Sequence, residues 1–130
     1  MNWNLIVRLS FFGFIMGAVS ILTISIFWFT VLWLIIYGAC VFVIAKRCTE
    51  KYFLNGFMLS MLNMGWATGF HIIFYTIYLT NNPIIELLYT LLPYSEFPRL
   101  GMIFMAPVFG AVFGLFVGFF SFLVAKVIGK

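Results

Sequence analysis

Residues 5–45 read LIVRLSFFGFIMGAVSILTISIFWFTVLWLIIYGACVFVIA, and the six that follow are Lys46-Arg47-Cys48-Thr49-Glu50-Lys51. As a single helix the apolar run would be about 60 Å long, roughly twice the thickness of a hydrocarbon core. It must fold back, and the best turn is Thr23 to Ser25, just before Phe27 and Trp28. The polar six then close a helical hairpin. Working outward, a third helix is predicted over residues 52–79, ended by Asn81-Asn82-Pro83, and a fourth over residues 100–128. The predicted spans are therefore 3–22, 27–45, 52–79 and 100–128. The fold class is all-α: a single membrane domain, a polytopic bundle of four transmembrane helices with a short interfacial helix in the third loop. The third helix is longer than the hydrocarbon core, so it is expected to tilt or to project into the headgroups.

The composition agrees. Of 130 residues, 65% are hydrophobic and only 8% charged, too few charges to cover the surface of a water-soluble globule. The net charge of +4 suggests nucleic acid at first sight, but a basic binding face needs cations clustered on a polar surface. Here they flank apolar spans and set orientation instead. Arg8, Lys46, Arg47, Lys51, Lys126 and Lys130 all fall on one side of a four-pass chain, and only Arg99 falls on the other. Lys- and Arg-rich short loops stay cytoplasmic, so both chain ends are expected inside. Trp3, Trp28 and the group Tyr75, Tyr78, Tyr89 and Tyr94 are expected near the interfaces. Arg8 before an apolar stretch, with Ala18 and Ser20, fits a signal peptide loosely. Cleavage there would leave a chain starting in more apolar sequence, so the first span is read as retained.

The outer loop carries its own pattern. Pro83 opens and Pro93 stops a stretch in which Ile84, Leu87, Leu88, Leu91 and Leu92 recur at helical spacing. A short helix on the outer leaflet is expected, capping the bundle; a lid or docking element is the functional alternative.

Small residues mark close packing. Ala106, Gly110, Gly114 and Gly118 recur at four-residue intervals on the fourth helix, and Gly13 and Gly17, flanked by Ser10 and Ser20, share a face of the first. Such faces let backbones approach where lipid removes the hydrophobic drive between helices. The expectation is that the first helix seats against the fourth within one chain; a homodimer through the fourth helix is the other reading. Pro107 is expected to kink the fourth helix.

The third helix bears the one polar constellation inside the membrane. Gly56, Ser60, Asn63, Ala67 and His71 fall on one face, with Thr68 and Asn55 off that line. Ser60, Asn63 and His71 are the candidate site: hydrogen-bonding glue between helices, or a polar path.

Much chemistry is excluded. The chain has no Asp, and Glu50, Glu86 and Glu96 lie outside the spans. A proton-coupled antiporter of the small multidrug type lacks its intramembrane acid, and an aspartyl protease lacks both of its own. One His cannot build a zinc-protease site, and bis-histidine haem would need two subunits. No G-x-S-x-G elbow is present. Cys40 lies mid-span and Cys48 in a loop facing a reducing compartment, so no disulfide is expected; Cys48 would be a palmitoylation candidate in a eukaryote. No catalytic residue, metal or cofactor is predicted.

The opening Met-Asn-Trp-Asn-Leu-Ile-Val-Arg-Leu-Ser-Phe-Phe-Gly-Phe-Ile-Met-Gly resembles small, uncharacterised four-helix membrane proteins of Bacteroidetes-type bacteria. So do Lys51-Tyr-Phe-Leu-Asn-Gly-Phe, the Asn63-x-x-Trp66-x-x-x-x-His71 spacing and Pro98-Arg99-Leu100 before a Gly-rich last helix. The resemblance implies a bacterial inner-membrane protein and carries no activity. The leading expectation is an accessory, packing or binding subunit without catalysis. It would have lipids as its solvent and a homo-oligomer or larger membrane complex as its assembly. The alternative is a minimal transporter or channel with a polar path along the third helix. An enzyme acting on a lipid or quinone through His71 ranks last.

Overall fold

The computed structural model describes residues 1–22, 25–92 and 95–130. Among them run six helices and no strand: α1 (Trp3–Ile21), α2 (Ile26–Arg47), α3 (Tyr52–Ile73), α4 (Tyr75–Asn81), α5 (Pro83–Thr90) and α6 (Pro98–Val127). Most of the expected Thr23–Ser25 turn, and Pro93 and Tyr94, lie outside the described residues. α1, α2 and α6 are each long and apolar enough to cross a membrane. α3 and α4 meet that test only together, so three or four spans are supported.

Local signals set the ends. The Asn2 side chain caps α1 by accepting the Leu5 N–H at 3.2 Å. Lys46 and Arg47 occupy the last turn of α2, where cations complement the carbonyl end of the helix. Lys51 takes the left-handed conformation, φ 53°, that reverses the chain into α3. Pro83 and Pro98 start α5 and α6, where a missing N–H costs nothing. α6 continues through Pro107 as one helix of 30 residues.

The third predicted helix needs correction. It does not run unbroken over 52–79; α3 ends at Ile73, and α4 turns off by 96°. The 22 residues of α3 rise about 33 Å, already the thickness of a hydrocarbon core. The surplus folds across the bundle rather than extending it. Two side chains hold the bend in place. Asn81 Nδ2 donates to the Ile21 carbonyl at 2.6 Å, and Asn82 Nδ2 donates to the carbonyls of Ser20 at 3.2 Å and Tyr78 at 2.8 Å. The last carbonyls of α1 have no partner within their own helix, so these amides satisfy groups that would otherwise be orphaned.

α3 is the central helix, packed along α6 on one flank and α1 on the other. The small faces of the first and last helices do not seat against each other; each receives α3. A Cβ on Gly13 would lie 2.5 Å from Asn63 Cα, and one on Gly17 would lie 3.1 Å from Ala67 Cα. Across the other interface, a Cβ on Gly118 would lie 2.6 Å from the Phe53 carbonyl oxygen, and Gly114 and Gly110 meet Phe57 and Met61 in the same way. α3 answers with Gly56, which approaches Gly118 Cα. The residue spacing shows that a backbone can come close, but not whose backbone it is. α2 is the least enclosed span, with Phe27, Trp28, Leu34 and Ile35 all turned outward.

One end of the bundle is pinned by polar contacts. Asn55, 1% exposed, accepts the Asn2 N–H at 2.9 Å and donates to the carbonyls of Glu50 at 3.1 Å and Lys51 at 2.9 Å. The Met1 ammonium lies 3.8 Å from the Glu50 carboxylate, and Lys130 Nζ donates to the Lys46 and Cys48 carbonyls. Met1, Lys130 and the α2–α3 turn therefore share one end. Ile6, Cys40, Ile44, Cys48 and Leu59 form the apolar cluster beneath them. Cys48 is buried and both cysteines are free, so its thiol is covered where a palmitoylation site would be open.

Candidate functional site

The polar face of α3 divides into two environments. Toward its beginning, Ser60 and Asn63 are fully buried. Ser60 Oγ lies 3.5 Å from the Tyr37 hydroxyl of α2, and Asn63 lies flat against the Gly13 backbone. Neither amide atom of Asn63 makes a hydrogen bond of good geometry among the described residues, although the Tyr37 hydroxyl is near enough to interact with it. Burying an amide in this way is costly, and the close approach at Gly13 leaves no room around it. This half of the face is packed core.

Toward its end, α3 borders a cavity of about 390 Å³ between α3, α6 and the α4–α5 segment. Its walls include Met64, Thr68 and His71 from α3, Met102, Met105, Ala106 and Phe109 from α6, Tyr78 from α4, and Ile85, Leu88 and Tyr89 from α5. Ala106 thus stands on the cavity wall, while the glycines in register with it close the α3–α6 contact. Size and composition suit a small-molecule site, which is typically about 300–1,000 Å³, mostly apolar, with few polar groups. α5 forms part of the wall with Ile84 and Leu87 exposed, and the cavity opens beside it: Leu91, just past the helix, lines it while 75% exposed.

His71 is fixed on two sides. Its Nε2 lies 2.7 Å from Ser20 Oγ on α1, and its ring stacks on Tyr78 with centroids 3.8 Å apart and planes 7° from parallel. Ser20 also donates to the Gly17 carbonyl at 2.6 Å. The bend after Ile73 is what brings Tyr78 back over the ring. Thr68, Tyr78 and Tyr89 also line the cavity, and their hydroxyls have no hydrogen-bond partner among the described residues. Burial pushes the Tyr89 phenol above its ordinary value, keeping it a neutral hydroxyl. Among the described residues no charged side chain lines the cavity. The arrangement can hold a neutral, largely apolar molecule and orient one polar group on it. Ser20 and His71 are a hydroxyl–imidazole pair, but Ser20 is buried and does not line this cavity.

Helical spacing grouped Ser60, Asn63 and His71 together, whereas the structure brings His71 to the cavity and leaves the other two in the core. Thr68, set off the polar line, lines the cavity, and Asn55, also set off it, is buried at the pinned end. Tyr78, expected near an interface, is buried against His71. Tyr75 has the Arg99 guanidinium 5.1 Å from its ring centre. The signal that could have found Tyr78 is its spacing of seven from His71, read with a break between them. No family model matches the chain, and no curated protein or solved structure matches it.

Proposed function

We propose that this is a four-pass protein of a bacterial inner membrane that acts by binding, without catalysis, and that the cavity between α3, α6 and the α4–α5 segment holds its ligand. The observation that carries this reading is a partly open, apolar cavity with His71 at its wall, held by Ser20 and Tyr78. Four passes follow if α3 and α4 cross as one bent span. The cations at Lys46, Arg47, Lys51, Lys126 and Lys130 favour the cytoplasm for the end where Met1 and Lys130 meet. A ligand from the lipid phase would suit walls so free of charge. A bound molecule also gives an accessory subunit something to present or store. A continuous polar path gains less support, because Asn63 is sealed against Gly13 and does not border the cavity.

The test is photolabelling in native membranes with an aliphatic diazirine probe, mapped by mass spectrometry. Saturable adducts should fall on Met64, Met102, Met105 or Leu88. Ala106→Phe, which fills the cavity from its wall, should abolish the saturable fraction and leave the bundle folded. Labelling spread evenly over the outward faces, unaffected by Ala106→Phe, would refute the reading.

A further inference from the structure

We infer that the cavity selects a neutral amphiphile bearing a hydroxyl group, which donates its hydrogen bond to Nδ1 of His71. This rests on the binding reading above and gives its ligand a chemistry.

The argument is a count of protons. Ser20 has one hydroxyl proton and two close neighbours, the Gly17 carbonyl at 2.6 Å and His71 Nε2 at 2.7 Å. A carbonyl can only accept. If Ser20 gave its proton to Nε2, two oxygen lone pairs would face each other at 2.6 Å. Both contacts are satisfied only when Ser20 donates to Gly17 and Nε2–H donates to Ser20. The same interface holds a second example in which the donor is not in question. Ser10, also on α1, donates to the Val7 carbonyl three residues back at 2.8 Å and receives the indole N–H of Trp66 from α3 at 3.3 Å. Ser20 repeats that pattern with the imidazole in place of the indole.

The tautomer fixes what the cavity asks for. Among the described residues no carboxylate lines the cavity to favour a second proton on the ring, and with one proton, on Nε2, the other nitrogen is a bare acceptor. Nδ1 has no partner among the described residues and belongs to a side chain that lines the cavity. The Tyr78 stack covers one face of the ring. A ligand that removes water from this nitrogen must supply a donor or leave it unpaired. A hydroxyl does so, and its own lone pairs can receive the Tyr78 or Tyr89 hydroxyl. A carboxylate or phosphate would meet no cation, and an ester or ether would offer no proton. The methionines and Phe109 suit a flexible aliphatic tail. Long-chain alcohols and phenols are the class.

The test uses wild-type protein in nanodiscs, with tritiated 1-dodecanol as the probe and empty discs as background. Saturable binding is expected, with unlabelled dodecyl methyl ether competing roughly tenfold or more weakly than unlabelled dodecanol. Equal competition by the ether would overturn the hydroxyl requirement while leaving a binding cavity standing. Absence of saturable dodecanol binding would overturn both. Ser20→Ala frees the ring to change tautomer, so the ether should recover most of the lost competition. A direct readout needs no variant: His71 is the only histidine, so nitrogen NMR of histidine-labelled protein reports its ring alone. The Nε2–H tautomer is expected, and an Nδ1–H ring would refute the inference whatever the ligand.

Discussion

Gly118→Ala tests the packing of α6 on α3 most sharply. A methyl carbon at this position would stand 2.6 Å from the Phe53 carbonyl oxygen and 2.9 Å from the Phe53 ring. The ring can rotate away, but the carbonyl belongs to the first turn of α3 and can yield only if one helix shifts. Overpacking of this kind costs about 1–3 kcal/mol. Replacing glycine with alanine also favours the helix by about 1 kcal/mol, so the bare measurement would understate the clash. Gly38 on α2 supplies the control, because a Cβ there meets nothing within 4 Å. The propensity term then cancels, and Gly118→Ala should be less stable than Gly38→Ala by about 1–3 kcal/mol. Reversible unfolding of each purified variant by SDS in mixed micelles, followed by tryptophan fluorescence, gives the difference. Equal midpoints would mean that α6 does not approach α3 through this glycine, and the central placement of α3 would fall with it.

Two further outcomes are expected. Asn55→Ala removes three hydrogen bonds at a buried position and orphans the Asn2 N–H; the same titration should show a loss of about 2 kcal/mol or more, and a neutral result would mean that the pinned end is not structural. Burial pushes the Cys48 thiol up, so it stays protonated in the folded chain while the unfolded chain ionises first as pH rises. As pH rises past the ordinary thiol value of about 8.5, the wild type should therefore lose stability that Cys48→Ala does not lose, and maleimide should modify Cys48 only after unfolding. Labelling of Cys48 in the folded protein at neutral pH would contradict its burial.

α1 and α2 were legible as one apolar run too long for a single crossing, and α6 as a long apolar run of its own, which in lipid leaves few alternatives to a helix. The bend at Phe74 was not legible. No proline or glycine marks it, and it is held by Asn81 and Asn82 reaching the last carbonyls of α1. Those residues read simply as a helix stop until α1 is placed beside them. The small-residue faces showed where close approach occurs; the partner depends on helix order in space, which spacing does not encode. Asn63 and His71 share a face of α3 but lie about 12 Å apart along it, far enough to enter different surroundings. One meets the Gly13 backbone and the other meets open space because α4 turns aside just beyond it. Thr68 and Asn55 were set apart for lying off a single stripe, yet α3 is enclosed on two flanks and so buries more than one stripe.

The crossing of α3 and α4 is the premise on which both the cavity and its access from lipid depend. Short epitope tags placed at Met1, after Thr49, at Glu96 and at Lys130, probed with antibody before and after the membrane is opened, measure it directly. The tags at Met1, Thr49 and Lys130 should share one compartment, with Glu96 alone in the other. A Glu96 tag found in the same compartment as the Thr49 tag would show that the bent pair enters and leaves on one side, and the four-pass arrangement would be wrong.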